Sequence, residues 1–509
     1  MKKVFMIAMA TALSVLLCAC GGDRTNKKER ADLRREKMTQ EEMDRVPQED
    51  SLVTIDTALG EIQGIQYDGY REFRGVRYAT AERWRDAVQT KAWEGTYDAT
   101  HWGESSWQYR GYFNGATDSL INQFYLNEAL VERKAGYSDD SLNLNIWTPD
   151  GAENCPVLFY IHGGAFMTGS NLDTSTDGEA YTRRGVVTVA INYRLGPWAN
   201  IYGDGYEGNL ALTDQLTALH WVRDNIADYG GNPERITIMG ESAGAVSVQN
   251  LLISPLVGDG LIHGAIMLSG GGDLSAMGTP TYPAVCESIW IQLKRNLGVK
   301  HLDELRDMEP KDLYLAWAKS LGNYAGFAAT PILNQVSLTD PVSVCLDKNT
   351  VKNVPCIIGM LSEDMTPKAF YDAATEYGKK RAEAEGEPVY LYYFDRVQPG
   401  DEQFGAFHGA DLYYAFGTLY RNWRPFDETD YRIAANMLDY ISNFVKTGDP
   451  NGNDLPRWEP AEVEKQRFLR FGDDPAVMME PDVNLLIQNQ KERPAFPYAE
   501  MFARPDRGN

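Results

Sequence analysis

Short, uninterrupted apolar runs recur along the chain and predict strands that are buried on both faces of a sheet. Each run is bounded by glycine or polar residues, and the five runs span residues 156–161, 186–191, 236–239, 265–268 and 354–358. Between the second and third runs, apolar residues recur every three or four positions, which predicts a helix over 212–229. This alternation of strand and helix predicts a doubly wound α/β fold with a large, mostly parallel central sheet flanked by helices.

The remaining periodic segments predict further helices. Residues 245–252 and 431–445 have helical apolar spacing, whereas 273–326 lacks strand-like runs and is interpreted as helical insertions positioned to cover the carboxyl ends of the strands. From about residue 53 onward the pattern is continuously globular, with no internal repeat. One α/β domain is therefore predicted over 51–509.

The first fifty residues have a different composition. Met1 and two lysines precede an apolar run at 4–17 that is too short to span a membrane, which is typical of a secretion signal. The run ends in Leu17-Cys-Ala-Cys20, which resembles a bacterial lipobox and predicts a signal peptide at 1–19 and lipidation of Cys20. Residues 20–50 are then a polar tether. The residue immediately after Cys20 is not Asp, which favours an anchor in the outer membrane facing the periplasm; a plain export signal is the alternative.

Charge and cysteine content restrict the function further. The formal charge of −23 argues against nucleic acid and anionic membrane surfaces as partners. No cofactor or metal is predicted, because the cysteines after Cys20 lack the spacing of a zinc site. A disulfide between Cys345 and Cys356 in an oxidising compartment is left open.

The segment Gly240-Glu-Ser-Ala-Gly244 carries the main chemical signal. It separates the predicted strand 236–239 from the predicted helix 245–252. In a G-x-S-x-G turn the serine caps a buried strand in a strained conformation that exposes its hydroxyl, so Ser242 is the candidate nucleophile. The alternative is a strand-to-helix turn without chemistry.

A serine nucleophile needs a general base and an acid that orients it, and in this arrangement they follow in the order Ser, acid, His. Of the histidines after Ser242, His263 is too close in sequence and His301 lies among charged residues of a predicted surface helix. His408 is therefore the candidate base. Glu363 and Asp364 follow the predicted strand 354–358, and only one of them can point toward His408. The other is expected to be solvated or to cap a helix.

Preorganised donors for an oxyanion are expected from the segment His162-Gly-Gly-Ala-Phe166, which follows the strand 156–161. The backbone NH of Ala243 would complete the set. His162 itself is expected to pack within the loop rather than to ionise.

Taken together, these motifs resemble the type-B carboxylesterase family, which includes cholinesterases, bacterial para-nitrobenzyl esterases and the inactive neuroligins. The similarity extends from about residue 73 to residue 451 and is closest over 208–235. It implies an α/β-hydrolase fold and the following site: Ser242, His408 and Asp364 as catalytic triad, Gly164, Ala165 and Ala243 as oxyanion donors, and Phe166 and Glu241 in the substrate pocket.

Several positions depart from the family. The family's acid is usually Glu, so an Asp364 side chain would have to lie closer to His408. Ser106 and Ser141 stand at the positions of its first disulfide. The segment 79–84 is shortened relative to the family, so substrate choice is not carried over.

The leading hypothesis is a serine carboxylesterase that acts on small-molecule esters through an acyl-enzyme. A non-catalytic, neuroligin-like binding protein is one alternative. An amidase or acyltransferase with the same acyl-enzyme is another.

Overall fold

The computed structural model describes residues 51–108, 133, 135–274, 280–321, 329–400, 404–452 and 454–492. The signal peptide, the lipidation of Cys20 and the tether lie outside the described residues and stay predictions. In the described ranges, no helix has the length and apolar character needed to cross a membrane.

A single mixed sheet of 13 strands organises the chain. Its seven central strands are parallel and run in the spatial order Val187–Ile191, Cys155–Ile161, Gly231–Glu241, Gly264–Leu268, Cys356–Leu361, Val389–Phe394 and Phe468–Phe471. Antiparallel strands extend both edges: Leu52–Thr57, Gly60–Tyr67, Tyr70–Arg77 and Asn143–Pro149 on one side, and Val477–Met479 on the other. Thr96–Asp98 pairs with Gly60–Tyr67 outside this order.

All five predicted strands are confirmed and occupy the centre of the sheet, so the predicted α/β class with a mostly parallel sheet is confirmed. The apolar pattern did not assign the edge strands, because strands with one solvated face alternate polar and apolar residues. Val389–Phe394 was also missed, although all six of its residues are buried.

Helices cover both faces of the sheet. In the described ranges, the α-helices are Glu179–Thr182, Leu210–Asn225, Ala243–Ile253, Pro283–Leu297, Pro310–Ser320, Val342–Asp347, Pro367–Glu383, Leu412–Ala415, Glu428–Thr447 and Val483–Glu492. Successive residues of one central strand alternate between two core clusters: Val157 and Phe159 pack in one, and Leu158 and Tyr160 in the other. This period of two is what a strand buried between two helical layers requires.

The predicted insertion over 273–326 contains the helices Pro283–Leu297 and Pro310–Ser320 in its described part. The second helix packs against the short turn Gly196–Trp198. In that turn, the NH of Gly196 donates to the carbonyl of Phe166 at 2.7 Å. The insertion therefore reaches the loop for which oxyanion donors were predicted.

The four described cysteines are free thiols, so Cys345 and Cys356 are not bridged in this structure. Ser106 and Ser141, which stand where the family has its first disulfide, lie together in the interior. Their hydroxyl oxygens are 2.6 Å apart, and the Ser106 hydroxyl also donates to the carbonyl of Tyr193. A hydrogen bond thus joins the two segments that the family's first disulfide would join.

A buried ion pair fixes the loop after Val187–Ile191 to the helix Leu210–Asn225. The Arg194 guanidinium donates from Nε and Nη2 to the two oxygens of Asp214 at 2.7 and 2.6 Å. The exposed fractions of these side chains are 1% and 0%. Removal of one partner would leave the other charge buried and uncompensated.

We therefore expect Asp214→Asn to lower the free energy of unfolding by about 3 kcal/mol, because Arg194 loses its counter-charge in a buried site. Asp224→Asn on the same helix is the control, since Asp224 pairs with Arg223 at an exposed position and should change stability by less than about 0.5 kcal/mol. Chemical denaturation at neutral pH measures both. Equal losses in the two variants would contradict the argument.

Candidate active site

Ser242 occupies a sharp turn between the strand Gly231–Glu241 and the helix Ala243–Ile253. Its backbone angles are φ 56° and ψ −122°, a conformation that non-glycine residues rarely adopt. The turn is held by its surroundings: the Ser242 NH donates to the Leu268 carbonyl at 2.9 Å. A Cβ on Gly244 would lie 2.1 Å from the carbonyl oxygen of Ile161, so only glycine allows the helix to approach this closely.

The loop after the strand Cys155–Ile161 packs against this turn. A Cβ on Gly163 would lie 2.7 Å from the main-chain oxygen of Glu241 and 3.1 Å from Cβ of Ser242. Gly164, Ala165 and Phe166 follow with φ values of 101°, 55° and 59°. Three consecutive residues with positive φ turn the main chain sharply, and concave turns of the main chain are a known source of anion-binding NH groups.

His162 packs within this loop, as expected from the sequence. Its ring stacks on Tyr193 with centroids 4.4 Å apart, and the Tyr193 hydroxyl donates to the His162 carbonyl at 2.8 Å. Because Ser106 donates to the Tyr193 carbonyl, a chain of polar contacts connects the Ser106–Ser141 pair to the loop. Phe166 is buried beside the turn Gly196–Trp198.

His408 lies between two carboxylates at the same end of the sheet. Its Nδ1 is 2.7 Å from Oδ1 of Asp364, which also accepts the NH of Met365. Its Nε2 is 3.2 Å from Oε1 of Glu241, the residue directly before Ser242. The structure therefore brings together Asp364, His408 and the turn that holds Ser242, three segments far apart in sequence.

Glu363 has a different position from the one expected for the second carboxylate. The expectation of a solvated or helix-capping group was wrong, because Glu363 accepts hydrogen bonds from the Ser362 hydroxyl and, at 2.8 Å, from the NH of Ala406. The Asn489 amide donates to its other oxygen at 3.3 Å. Glu363 therefore fastens the loop that carries His408 to the end of the sheet.

Burial and mutual repulsion shift the ionisation of these groups. Burial raises the pKa of Glu241 to about 8. Burial also lowers the pKa of His408, but the negative charges of Asp364 and Glu241 outweigh burial and raise it to about 9. Groups whose pKa values are displaced in this way cluster at functional sites.

Asp411 is a further buried carboxylate that the sequence analysis did not assign. Burial raises its pKa to about 6, and it accepts a hydrogen bond from the Tyr392 hydroxyl. The available signal was its place three residues after His408. The burial of Asp411 could not be inferred from this position alone, because its hydrogen-bond donor Tyr392 lies on the strand Val389–Phe394, which places Tyr392 in the core.

Across the described part of the chain, no group of three or more His, Cys, Asp or Glu side chains is arranged to hold a metal ion. The polar side chains around His408 are instead carboxylates that contact the imidazole or hold its loop. Such an arrangement is suited to moving a proton between an imidazole and a neighbouring hydroxyl.

Comparison with known proteins shows that most of the chain is similar to carboxylesterases. A family described as the carboxylesterase family matches residues 50–385 and 370–488. Phenmedipham hydrolase of Pseudarthrobacter oxydans is 29% identical, over 82% of this chain and 95% of its own. Para-nitrobenzyl esterase of Bacillus subtilis is 26% identical, over 87% of this chain and 98% of its own.

Solved structures agree with the fold. A thermophilic para-nitrobenzyl esterase superposes with a TM-score of 0.73 at 22% identity, covering 86% of this chain and 99% of its own. A carboxylesterase of Geobacillus stearothermophilus superposes with a TM-score of 0.71 at 26% identity, with the same coverage. The predicted α/β-hydrolase fold is thereby confirmed, and the chain belongs to the carboxylesterase family as a carboxylic ester hydrolase.

Proposed function

We propose that the protein hydrolyses small-molecule carboxylic esters through an acyl-enzyme formed on Ser242, with His408 as general base and acid and Asp364 as the residue that orients it. The observation that carries this proposal is the strained backbone of Ser242 directly after Glu241, whose carboxylate lies 3.2 Å from the ring of His408, while Asp364 binds the other nitrogen of that ring. Strain of this kind persists only where the surroundings enforce it, and it marks functional turns.

In the acylation step, Oγ of Ser242 attacks the ester carbonyl carbon while Nε2 of His408 accepts the hydroxyl proton. The carbonyl oxygen becomes an oxyanion, for which the NH groups of Gly164, Ala165 and Ala243 are the donors. When the intermediate collapses, the bond to the alcohol oxygen breaks and His408 donates its proton to the departing alkoxide. Asp364 keeps Nδ1 protonated, so that Nε2 is the basic nitrogen.

In the deacylation step, water replaces the alcohol. His408 accepts a proton from water as the oxygen adds to the acyl carbonyl carbon. Collapse of the second intermediate then breaks the bond to Oγ, which recovers a proton from His408. Phe166 and Glu241 are assigned to the wall of the substrate pocket, since Glu241 directly precedes Ser242 and Phe166 follows Gly163 in the loop that packs against this turn.

Two alternatives use the same residues differently. A neuroligin-like binding protein would keep the fold without turnover, and the retention of all three triad residues is the observation against it. An amidase or acyltransferase would share the acyl-enzyme but differ in the leaving group or acceptor. A comparison of ester, amide and alcohol acceptor substrates distinguishes these chemistries.

We also propose that the enzyme is exported and anchored to the outer membrane through a lipidated Cys20, which the lipobox-like segment supports. Metabolic labelling with a palmitate analogue should modify the parent protein, and Cys20→Ala should abolish the label and release the protein from the membrane fraction. Equal labelling of both forms would refute the anchor without affecting the proposed chemistry.

Substitution of the nucleophile is the direct test of the mechanism. Ser242→Ala should lower kcat for para-nitrophenyl acetate by at least about 10³-fold, because the remaining groups cannot form the acyl-enzyme. It should also abolish covalent labelling by a fluorophosphonate probe. Ser343→Ala, in the helix Val342–Asp347, is the matched control and should leave both readouts unchanged. Hydrolysis by Ser242→Ala at the parent rate would refute the proposal.

The identity of the acid is tested by two neighbouring substitutions. Asp364→Asn should lower kcat roughly 10³- to 10⁴-fold, because the amide no longer enforces the tautomer of His408. Glu363→Gln should keep kcat within about tenfold of the parent, since Glu363 binds the main chain of residue 406 and its loss loosens the loop. Steady-state kinetics measure both, and a reversed order would transfer the role to Glu363.

The carboxylate of Glu241 should contribute to the pH range of activity. His408 acts as a base only when neutral, so activity rises as pH increases through its pKa. Because Glu241 ionises at about pH 8, below the pKa of about 9 of His408, its negative charge stabilises the imidazolium. Glu241→Gln should therefore move the acidic limb of the kcat/KM profile to lower pH by about one unit.

The matched control for this measurement is Glu94→Gln, which replaces an exposed carboxylate and should leave the profile in place. A limb that stays fixed or moves to higher pH in Glu241→Gln would contradict the proposed electrostatic effect.

A further inference from the structure

The loop 163–169, which carries two of the proposed oxyanion donors, is closed on itself. The carbonyl of Gly164 accepts the NH of Thr168 at 3.0 Å, so the chain turns back within the loop. A Cβ on Gly169 would then lie 2.5 Å from the main-chain oxygen of Gly163. The two ends of the loop therefore touch at a neck formed by these two glycines, and the donor residues follow directly after it.

The side-chain amide of Gln108 holds one side of this neck. Its Nε2 donates to the carbonyl of Gly169 at 2.8 Å, and its Oε1 accepts the NH of the same residue at 3.0 Å. Nε2 also donates to the carbonyl of Ser106 at 3.2 Å. Gln108 is 2% exposed, so these bonds lie in a medium where they are stronger than in water. One amide thus fixes both main-chain polar groups of a single glycine.

The main chain that carries Gln108 is anchored independently of the loop. The NH of Trp107 donates to the carbonyl of Ser138 at 3.1 Å. The Ser106 hydroxyl lies 2.6 Å from that of Ser141. Gln108 therefore extends from a fixed segment, and its contact restrains the loop rather than following it.

The neck transmits this restraint to the turn of the nucleophile. Gly163 packs so closely on Ser242 that a Cβ would lie 3.1 Å from Cβ of the serine. The position of Gly169 against Gly163 therefore determines where the next NH groups of the loop lie relative to Oγ of Ser242. Because an oxyanion donor acts at about 2.7–3.1 Å from the oxyanion, a small displacement of the neck weakens it.

We propose that Gln108 is a positioning residue of the oxyanion site. By binding both main-chain groups of Gly169, it keeps the NH groups of Gly164 and Ala165 at the distance that the tetrahedral oxyanion requires. This inference rests on the proposed acyl-enzyme function and goes beyond it, because Gln108 acts through the main chain and not on the substrate. Its effect belongs to the transition state, in which negative charge develops on the carbonyl oxygen, and not to binding of the uncharged ester.

The structural alternative is a buried amide that only completes the hydrogen bonding of a loop. That alternative predicts a lower melting temperature for variants of Gln108 with unchanged turnover per folded molecule. Turnover, KM and thermal stability must therefore be measured together.

Gln108→Met in the full chain removes the amide and keeps an unbranched side chain of similar length. We expect kcat for para-nitrophenyl acetate to fall about 10- to 100-fold, with KM within about threefold of the parent. The split between kcat and KM is expected because the loss falls on the transition state.

An aryl trifluoromethyl ketone gives a second readout of the same site. Oγ of Ser242 adds to the ketone carbon, the hydroxyl proton passes to His408, and the carbonyl oxygen becomes an alkoxide at the position of the oxyanion. In Gln108→Met the inhibition constant should rise by about the factor by which kcat/KM falls.

Thr148→Val is the control for a general loss of stability. The Thr148 hydroxyl donates to the carbonyl of Tyr229 at 2.7 Å in the interior. Thr148 lies near the amino end of the strand Val187–Ile191, whereas Ser242 follows the carboxyl end of its strand. This variant should lower the melting temperature and leave kcat and the inhibition constant unchanged. Gln292→Met, at an exposed glutamine, should change none of these quantities.

Gln108→Asn keeps the amide on a side chain one methylene shorter and should give a kcat between those of the parent and Gln108→Met. It carries the comparison if circular dichroism shows that Gln108→Met is unfolded. The inference is overturned if the folded Gln108 variants keep the parent kcat, or if Thr148→Val loses as much turnover as they do. A parent enzyme that needs Ser242 but not Gln108 retains the proposed function and loses only this inference, whereas hydrolysis that survives Ser242→Ala overturns both.

Discussion

The strained backbone of Ser242 is the constraint on which the rest of the site depends. A residue with φ 56° and ψ −122° would relax if its neighbours allowed it. Relaxation is prevented because the strand before it lies in the middle of a parallel sheet and the helix after it packs against the end of the adjacent strand. The contact at Gly244 leaves no space for a side chain. The same packing that buries the core therefore presents the hydroxyl.

The supports on either side of Ser242 are polar contacts rather than covalent bonds. On one side, Ser106 and Ser141 share a hydrogen bond, and Tyr193 transmits that contact to the loop of Gly164 and Ala165. On the other side, Glu363 binds the main chain of the His408 loop. Because a buried hydrogen bond contributes about 1 kcal/mol, whereas a disulfide typically contributes 2–4 kcal/mol, this scaffold relies on several weaker contacts.

The pKa of His408 is governed by the buried carboxylates that lie close to its ring. Asp364 contacts one ring nitrogen and Glu241 lies close to the other, while Asp411 is buried nearby with the Tyr392 hydroxyl as its donor. Negative groups in a buried environment cannot all ionise without a partner, so the pKa values of Glu241 and Asp411 rise and the imidazole cation is favoured. The proton distribution among these groups, rather than any one residue, sets the pH at which the imidazole can act as a base.

The sequence alone determined the centre of the fold and the candidate residues. Continuous apolar runs identify five of the seven central parallel strands, although not the buried Val389–Phe394, and the order of Ser242, Asp364 and His408 along the chain restricts their roles. The tertiary structure decided what depends on long-range contact: the attachment of Glu363 to the His408 loop, the pairing of Ser106 with Ser141, and the burial of Asp411 beside Tyr392. Local periodicity reports which face of an element is buried, but the partner across that face comes from a distant segment, and only packing brings the two together.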